Sequence, residues 1–175
     1  MPVIVCLFDE PTADRLRGLW ESLANEFSLC APAPPPHLTL HAAQGYDMGR
    51  IERMVRSLTR SLPPFATRGE GLGLFRGESL TLYLPVVRTP RLSLLHRNVF
   101  EEVRDHATAP EPYHHPDRWM PHVTLAQEGL TEEKLGEVVR YLARVDLSFE
   151  LPIIALAAVV EGEGPQVALT EQFSG

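Results

Sequence analysis

Two five-residue stretches hold the residue types that could do chemistry: Pro36-His37-Leu38-Thr39-Leu40 and Pro121-His122-Val123-Thr124-Leu125. Histidine, with an unperturbed pKa near ~6.5, accepts a proton in one form and gives one in the other close to neutral pH. Cleaving a phosphodiester needs both acts. One group removes a proton from the attacking oxygen, and the other supplies one to the leaving oxygen. Threonine hydroxyls can donate hydrogen bonds to the non-bridging phosphoryl oxygens, where negative charge is concentrated. Such a mechanism requires no metal. A lone His-x-Thr is a cheap pattern and serves equally as a strand residue bonding a neighbouring backbone. Two copies in one frame, each leading into a helix, are much harder to reach by accident.

Residues two apart in a strand project from the same face. His37 and Thr39 therefore point together, as do His122 and Thr124, while Leu38, Leu40, Val123 and Leu125 enter the core behind them. The first motif strand is expected over 37–41 and the second over 122–126. The helix after the first starts at the N-cap Asp47, with Met48, Ile51, Val55, Leu58 and Leu62 on its apolar face and Pro63-Pro64 at its end. The helix after the second is capped by Thr131, with Leu130 and Leu135 placed as a staple. Each motif is also preceded by a helix. One carries Leu16, Leu19, Trp20, Leu23 and Phe27 at helical spacing, and the other opens at Thr89-Pro90 with Leu92, Leu95, Val99 and Val103. This repeated strand–helix unit implies two lobes related by approximate twofold symmetry, which would bring both motifs to one cleft.

Further strands are expected at 3–8, 72–75, 80–84, 149–160 and 167–169, with Gly77 and Glu161-Gly162-Glu163-Gly164 in turns. The proline-rich stretch 31–36 reads as a stiff entry into the first motif. The aperiodic stretch 107–120 has the length of a functional loop.

The 175 residues suit one domain, or two fused lobes, able to bury a core, and 44% apolar with 22% charged residues is ordinary for a globular chain. A net charge of −7 argues against coating duplex nucleic acid or anionic membrane, though a small anion can still be held locally. Lys134 is the only lysine, and this arginine bias decides nothing alone. Cys6 and Cys30 complete no zinc ligand set, and Cys6 lies in an apolar run where an inert thiol is the default. No apolar stretch reaches membrane-spanning length, so a cytoplasmic protein is expected.

The paired His-apolar-Thr motifs, with Gly73-Leu74-Phe75-Arg76 leading into Leu80-Thr81-Leu82-Tyr83-Leu84, resemble the 2H phosphoesterase superfamily. Within it the chain is similar to bacterial proteins of the 2′-5′ RNA ligase and RNA 2′,3′-cyclic phosphodiesterase type. The resemblance covers almost the whole chain, 1–175, as one domain of two intertwined lobes. It implies an α+β, bilobal fold: two pseudo-symmetric antiparallel-sheet lobes with outer helices around a central cleft. Carried over, His37 and His122 become the acid–base pair, and Thr39 and Thr124 the phosphate-holding hydroxyls, with no cofactor. The implied activity opens 2′,3′-cyclic phosphates to 2′-phosphomonoesters, and the same groups serve 2′-5′ joining. The chain departs from many RNA-acting relatives after the second motif, where Ala126-Gln127-Glu128 stands in place of a basic residue. With the acidic balance, this directs the expected partner toward an RNA end or a small cyclic nucleotide, bound by a monomer.

Lesser candidates each have two readings. His41 either extends the polar face of the first motif or, if the strand ends first, is solvated. Tyr113, beside His114 and His115, either stacks on a base or belongs to an exposed loop. Arg76 and Arg118 are phosphate contacts or ordinary surface arginines, and Trp119 offers a stacking face at the cleft mouth. His96 reads as a packed histidine, and His106 has no partner that the sequence identifies. A metal held by His37, His41 and His122 is the chemical rival, but no carboxylate stands at ligand spacing. A non-catalytic module capturing an RNA end or a phosphorylated ligand in the same cleft is the functional rival.

Overall fold

The computed structural model describes residues 1–32, 35–77, 79–161 and 165–175. The centre of the turn expected at Glu161-Gly162-Glu163-Gly164, and Ala33 and Pro34 of the proline-rich stretch, lie outside them. Four helices form where apolar stripes follow a capping residue: α1 (Glu10–Phe27), α2 (Met48–Ser61), α3 (Pro90–Val103) and α4 (Glu132–Leu142). The side chains of Asp9, Asp47, Thr89 and Thr131 each accept a hydrogen bond from the amide three residues on, satisfying one of the orphan donors of each first turn. Ser28 closes α1 in the left-handed conformation, φ 53°.

All strand pairings are antiparallel. The first sheet contains β1 (Val3–Phe8), β2 (His37–Gly45), β3 (Phe65–Gly69), β6 (Thr108–Pro110), β8 (Phe149–Glu161) and β9 (Pro165–Gln172). Its order is β3-β8-β1-β2-β6, with β9 also paired to β8. The second sheet has β4 (Gly73–Arg76), β5 (Leu80–Pro85) and β7 (His122–Ala126) in the order β4-β5-β7. This is the expected α+β arrangement of two antiparallel sheets with helices outside. Among the described residues no helix is long and apolar enough to cross a membrane.

Each half of the chain runs strand, helix, motif strand, helix: β1-α1-β2-α2, then β5-α3-β7-α4. The leading helices cross over. α1 packs on β7 and α4 from the second half, and α3 packs on β2 and α2 from the first. The apolar stripe of each leading helix therefore closes the core behind the other half's motif, and Leu38, Leu40, Val123 and Leu125 are all buried there. Cys6 is buried in the first sheet, and burial pushes its thiol pKa up.

Three elements differ from expectation. β3 is absent from the sequence reading because its inward positions are Phe65, Thr67 and Gly69, which make no apolar alternation. Thr67 satisfies its hydroxyl on the Val87 carbonyl (2.7 Å), and a Cβ at Gly69 would lie 2.6 Å from Leu84 Cδ2. β2 runs to Gly45 rather than stopping near His41, because β6 pairs with Ala43 and Gly45. The stretch 107–120, expected to lack regular structure, supplies that β6 and a short 3₁₀ turn at Pro112–His114.

Candidate active site

β2 and β7 pack together, and this juxtaposition brings the two His-x-Thr motifs to one place. His37, Thr39, His122 and Thr124 are all half-buried, while the residues between them are buried. The alternation expected of each strand is thus realised on both. In the ladders His37 stands opposite Leu7 and Thr39 opposite Val5, while His122 stands opposite Pro85 and Thr124 opposite Tyr83.

The two imidazoles are anchored alike. Nδ1 of His37 lies 2.7 Å from the Pro35 carbonyl oxygen, and Nδ1 of His122 lies 2.7 Å from the Met120 carbonyl oxygen. A carbonyl can only accept, so the Nδ1 proton is the donor in both, and Nε2 is left as the nitrogen that can take or give a proton. Burial lowers the pKa of both histidines, the carbonyl bonds oppose it, and the charge on His37 lowers His122 further. The two imidazoles thus interact electrostatically across the two halves.

His122 has an aromatic frame that His37 lacks among the described residues. Phe75 and Tyr83 stack at 4.0 Å between centroids, and both meet the His122 ring edge-on, at 4.9 and 5.2 Å. Gly73 permits this, because a Cβ there would lie 2.2 Å from Tyr83 Cζ. The glycine inside an apolar strand pattern is the sequence signal that could have marked the close approach.

The remaining candidates separate. His41 is 1% exposed, and its Nδ1 is 2.6 Å from the Tyr46 hydroxyl. Its ring also neighbours Phe100 and His114, so it is not solvated. Burial depresses its pKa to about 4. Trp119 is not a stacking face at the cleft mouth: it is buried, lies parallel to the His96 ring at 3.8 Å, and donates Nε1–H to the Thr39 carbonyl (3.0 Å). Arg88, which the sequence reading passed over, holds the preceding loop by donating to the carbonyls of Pro116 (2.8 Å) and Trp119 (3.4 Å). His96 is packed as expected, and its pKa is lowered by burial to about 4. Tyr113 is exposed, with the Arg118 guanidinium 5.2 Å from its ring centroid. Arg76 is also exposed, 3.9 Å from the Glu132 carboxylate. His106 accepts from Arg50 at 2.9 Å, beside a cavity of about 300 Å³ between α2 and α3 that none of the four motif residues lines. Among the described residues no three of His, Cys, Asp and Glu group as metal ligands.

Fold and motif pair together define a 2H phosphoesterase architecture. The chain belongs to the 2′-5′ RNA ligase superfamily, whose model matches residues 8–165. No curated protein matches it significantly in sequence. Among solved structures it is similar to the protein TT0787 of Thermus thermophilus, at 18% identity and TM-score 0.65, with 98% of this chain and 97% of that one covered. It is also similar to E. coli LigT in complex with 3′-AMP, at 14% identity and TM-score 0.58, covering 99% and 97%. Usb1 of Kluyveromyces marxianus follows at 12% and 0.50, covering 97% and 96%. These likenesses show the shared fold, and the family is one of phosphoesterase and ligase enzymes.

Proposed function

We propose that the protein is a metal-independent phosphodiesterase that opens 2′,3′-cyclic phosphates on ribonucleotides or RNA ends to 2′-phosphomonoesters. The observation that carries this reading is the matched Nδ1 anchoring, which leaves two Nε2 atoms for one phosphate. One neutral histidine takes a proton from water through Nε2, and the water oxygen bonds to phosphorus. The bond from phosphorus to O3′ breaks as the other histidine, protonated, delivers its Nε2 proton to O3′. Thr39 and Thr124 donate to the non-bridging oxygens as charge builds there. A 5′-hydroxyl in place of water makes a 2′-5′ linkage with the same groups. Exposed Tyr113 and Arg118 are suited to a base and a phosphate, and exposed Arg76 to a second phosphate.

The test is incubation with each 2′,3′-cyclic nucleotide and with a short RNA ending in a cyclic phosphate, in the presence of EDTA. Chromatography should show the 2′-phosphomonoester. Binding without product would overturn turnover in favour of a capture module, and loss of activity in EDTA would overturn the metal-free mechanism.

A further inference from the structure

Both motif strands expose an open edge at the site, and each open edge is closed by a tryptophan from elsewhere in the chain. Among the described residues β7 has a ladder only with β5, and over 37–41 β2 has a ladder only with β1. The Thr39 carbonyl accepts from Trp119 Nε1 at 3.0 Å, and the Thr124 carbonyl accepts from Trp20 Nε1 at 3.1 Å. Trp20 and Trp119 are the chain's two tryptophans, at 5% and 3% exposure. Neither contact is local. Trp20 sits on α1, in the first half, and holds the second motif. Trp119 lies three residues before His122 and holds the first.

We infer that Trp20 and Trp119 are positioning residues that fix the two motif strands to one another across the pseudo-twofold, so that the spacing of His37 and His122 is set by two indole hydrogen bonds. An unpaired strand edge otherwise leaves a backbone free to shift. The two indoles replace the missing neighbours at the residue that also carries the phosphate-holding hydroxyl. Trp119 itself packs against the parallel His96 ring and has the Arg88 guanidinium 5.6 Å from its centroid. The two clamps are not copies of each other within the repeat, since one lies on a leading helix and the other in the loop before a motif. The same acceptor has been closed by two different routes.

The inference concerns the same site as the proposed phosphodiesterase, and its test is chosen to stand apart from that reading. In Trp119→Phe and Trp20→Phe, the imidazole resonances of the histidines are followed by NMR. Trp119→Phe should shift His37 more than His122, although Trp119 is the nearer in sequence to His122. Trp20→Phe should do the reverse. With a cyclic nucleotide, each variant should lose roughly tenfold to a hundredfold in kcat with little change in KM, as expected of misplacement by about an ångström. A wild-type protein without turnover leaves the crossed pattern to be read on its own and overturns only the phosphodiesterase reading. An active wild type whose variants perturb the histidine nearest in sequence, or neither, overturns the clamp. If a variant fails to fold, the wild-type spectrum decides. Both indole protons should be protected from exchange and shifted downfield, and a freely exchanging indole overturns the bond it belongs to.

Discussion

The two motif strands present the same chemistry on unequal supports. β2 is 9 residues long and lies between β1 and β6 in a six-stranded sheet. β7 has 5 residues and forms the edge of a three-stranded sheet. Yet the histidine of each is anchored through Nδ1 at 2.7 Å to a carbonyl two residues upstream. The orientation of each imidazole is therefore set at the entry into its strand. The second half makes up for its smaller sheet with side chains, since Phe75 and Tyr83 frame His122 while among the described residues no such pair frames His37.

The sharpest way to break this comparison is to remove the histidines one at a time. His37→Ala and His122→Ala should each lower kcat on a 2′,3′-cyclic nucleotide by roughly 10²–10⁴-fold, with circular dichroism unchanged. Full activity in either would separate the halves and sink the paired mechanism. In the wild type, kcat/KM should follow a bell in pH centred below about 6.5, because burial lowers both free-enzyme pKa values. A monotonic profile with chemistry limiting would count against it.

Acid distinguishes the halves next. His41 and His96, behind the first motif, are held near pKa 4, whereas in the unfolded chain they titrate near ~6.5. Between those values the unfolded state binds more protons, so stability is full above about pH 6.5 and falls as pH drops toward 4. Each of these two buried rings accounts for on the order of 3 kcal/mol across that window. The melting temperature measured against pH should show the decline, and His96→Phe, which keeps the stack on Trp119, should flatten it. An unchanged slope would place the acid sensitivity elsewhere.

The second motif has its own weak point. Gly73→Ala should displace Tyr83 and cost roughly 1–3 kcal/mol in urea unfolding. NMR should show the change at His122 and not at His37. The smallest effect expected is at Arg76, which is exposed and within only 3.9 Å of one carboxylate. Arg76→Ala should change kcat/KM on a mononucleotide by less than about threefold, as for other exposed ion pairs. A loss confined to RNA ends would assign it to a phosphate beyond the cyclic one.

The placement of the two motifs was legible because strand alternation alone put His and Thr on one face in both copies, and the caps at Asp47, Thr89 and Thr131 marked the helices that follow or lead. What the sequence hid were features decided by distant residues. β3 buries a threonine and a glycine, and nothing local says so. His41 is covered by Tyr46, Phe100 and His114, two of them far along the chain. Trp119, just before the second motif, reads from sequence as a stacking face at the cleft mouth. Its actual partners, Thr39 and His96, belong to β2 and α3, and only the crossing of the leading helices brings them there.

The place of β8 has a consequence for how the protein comes into being. It lies between β1 and β3 and is synthesised after both motifs. A nascent chain halted between Ala126 and Phe149 therefore carries both His-x-Thr motifs, yet β1 lacks the ladder on one edge and β3 lacks its ladder with β8. Pairings of such long sequence separation form late and slowly. The two motifs are expected to reach their final arrangement only when a strand that carries neither of them slides into the middle of the sheet.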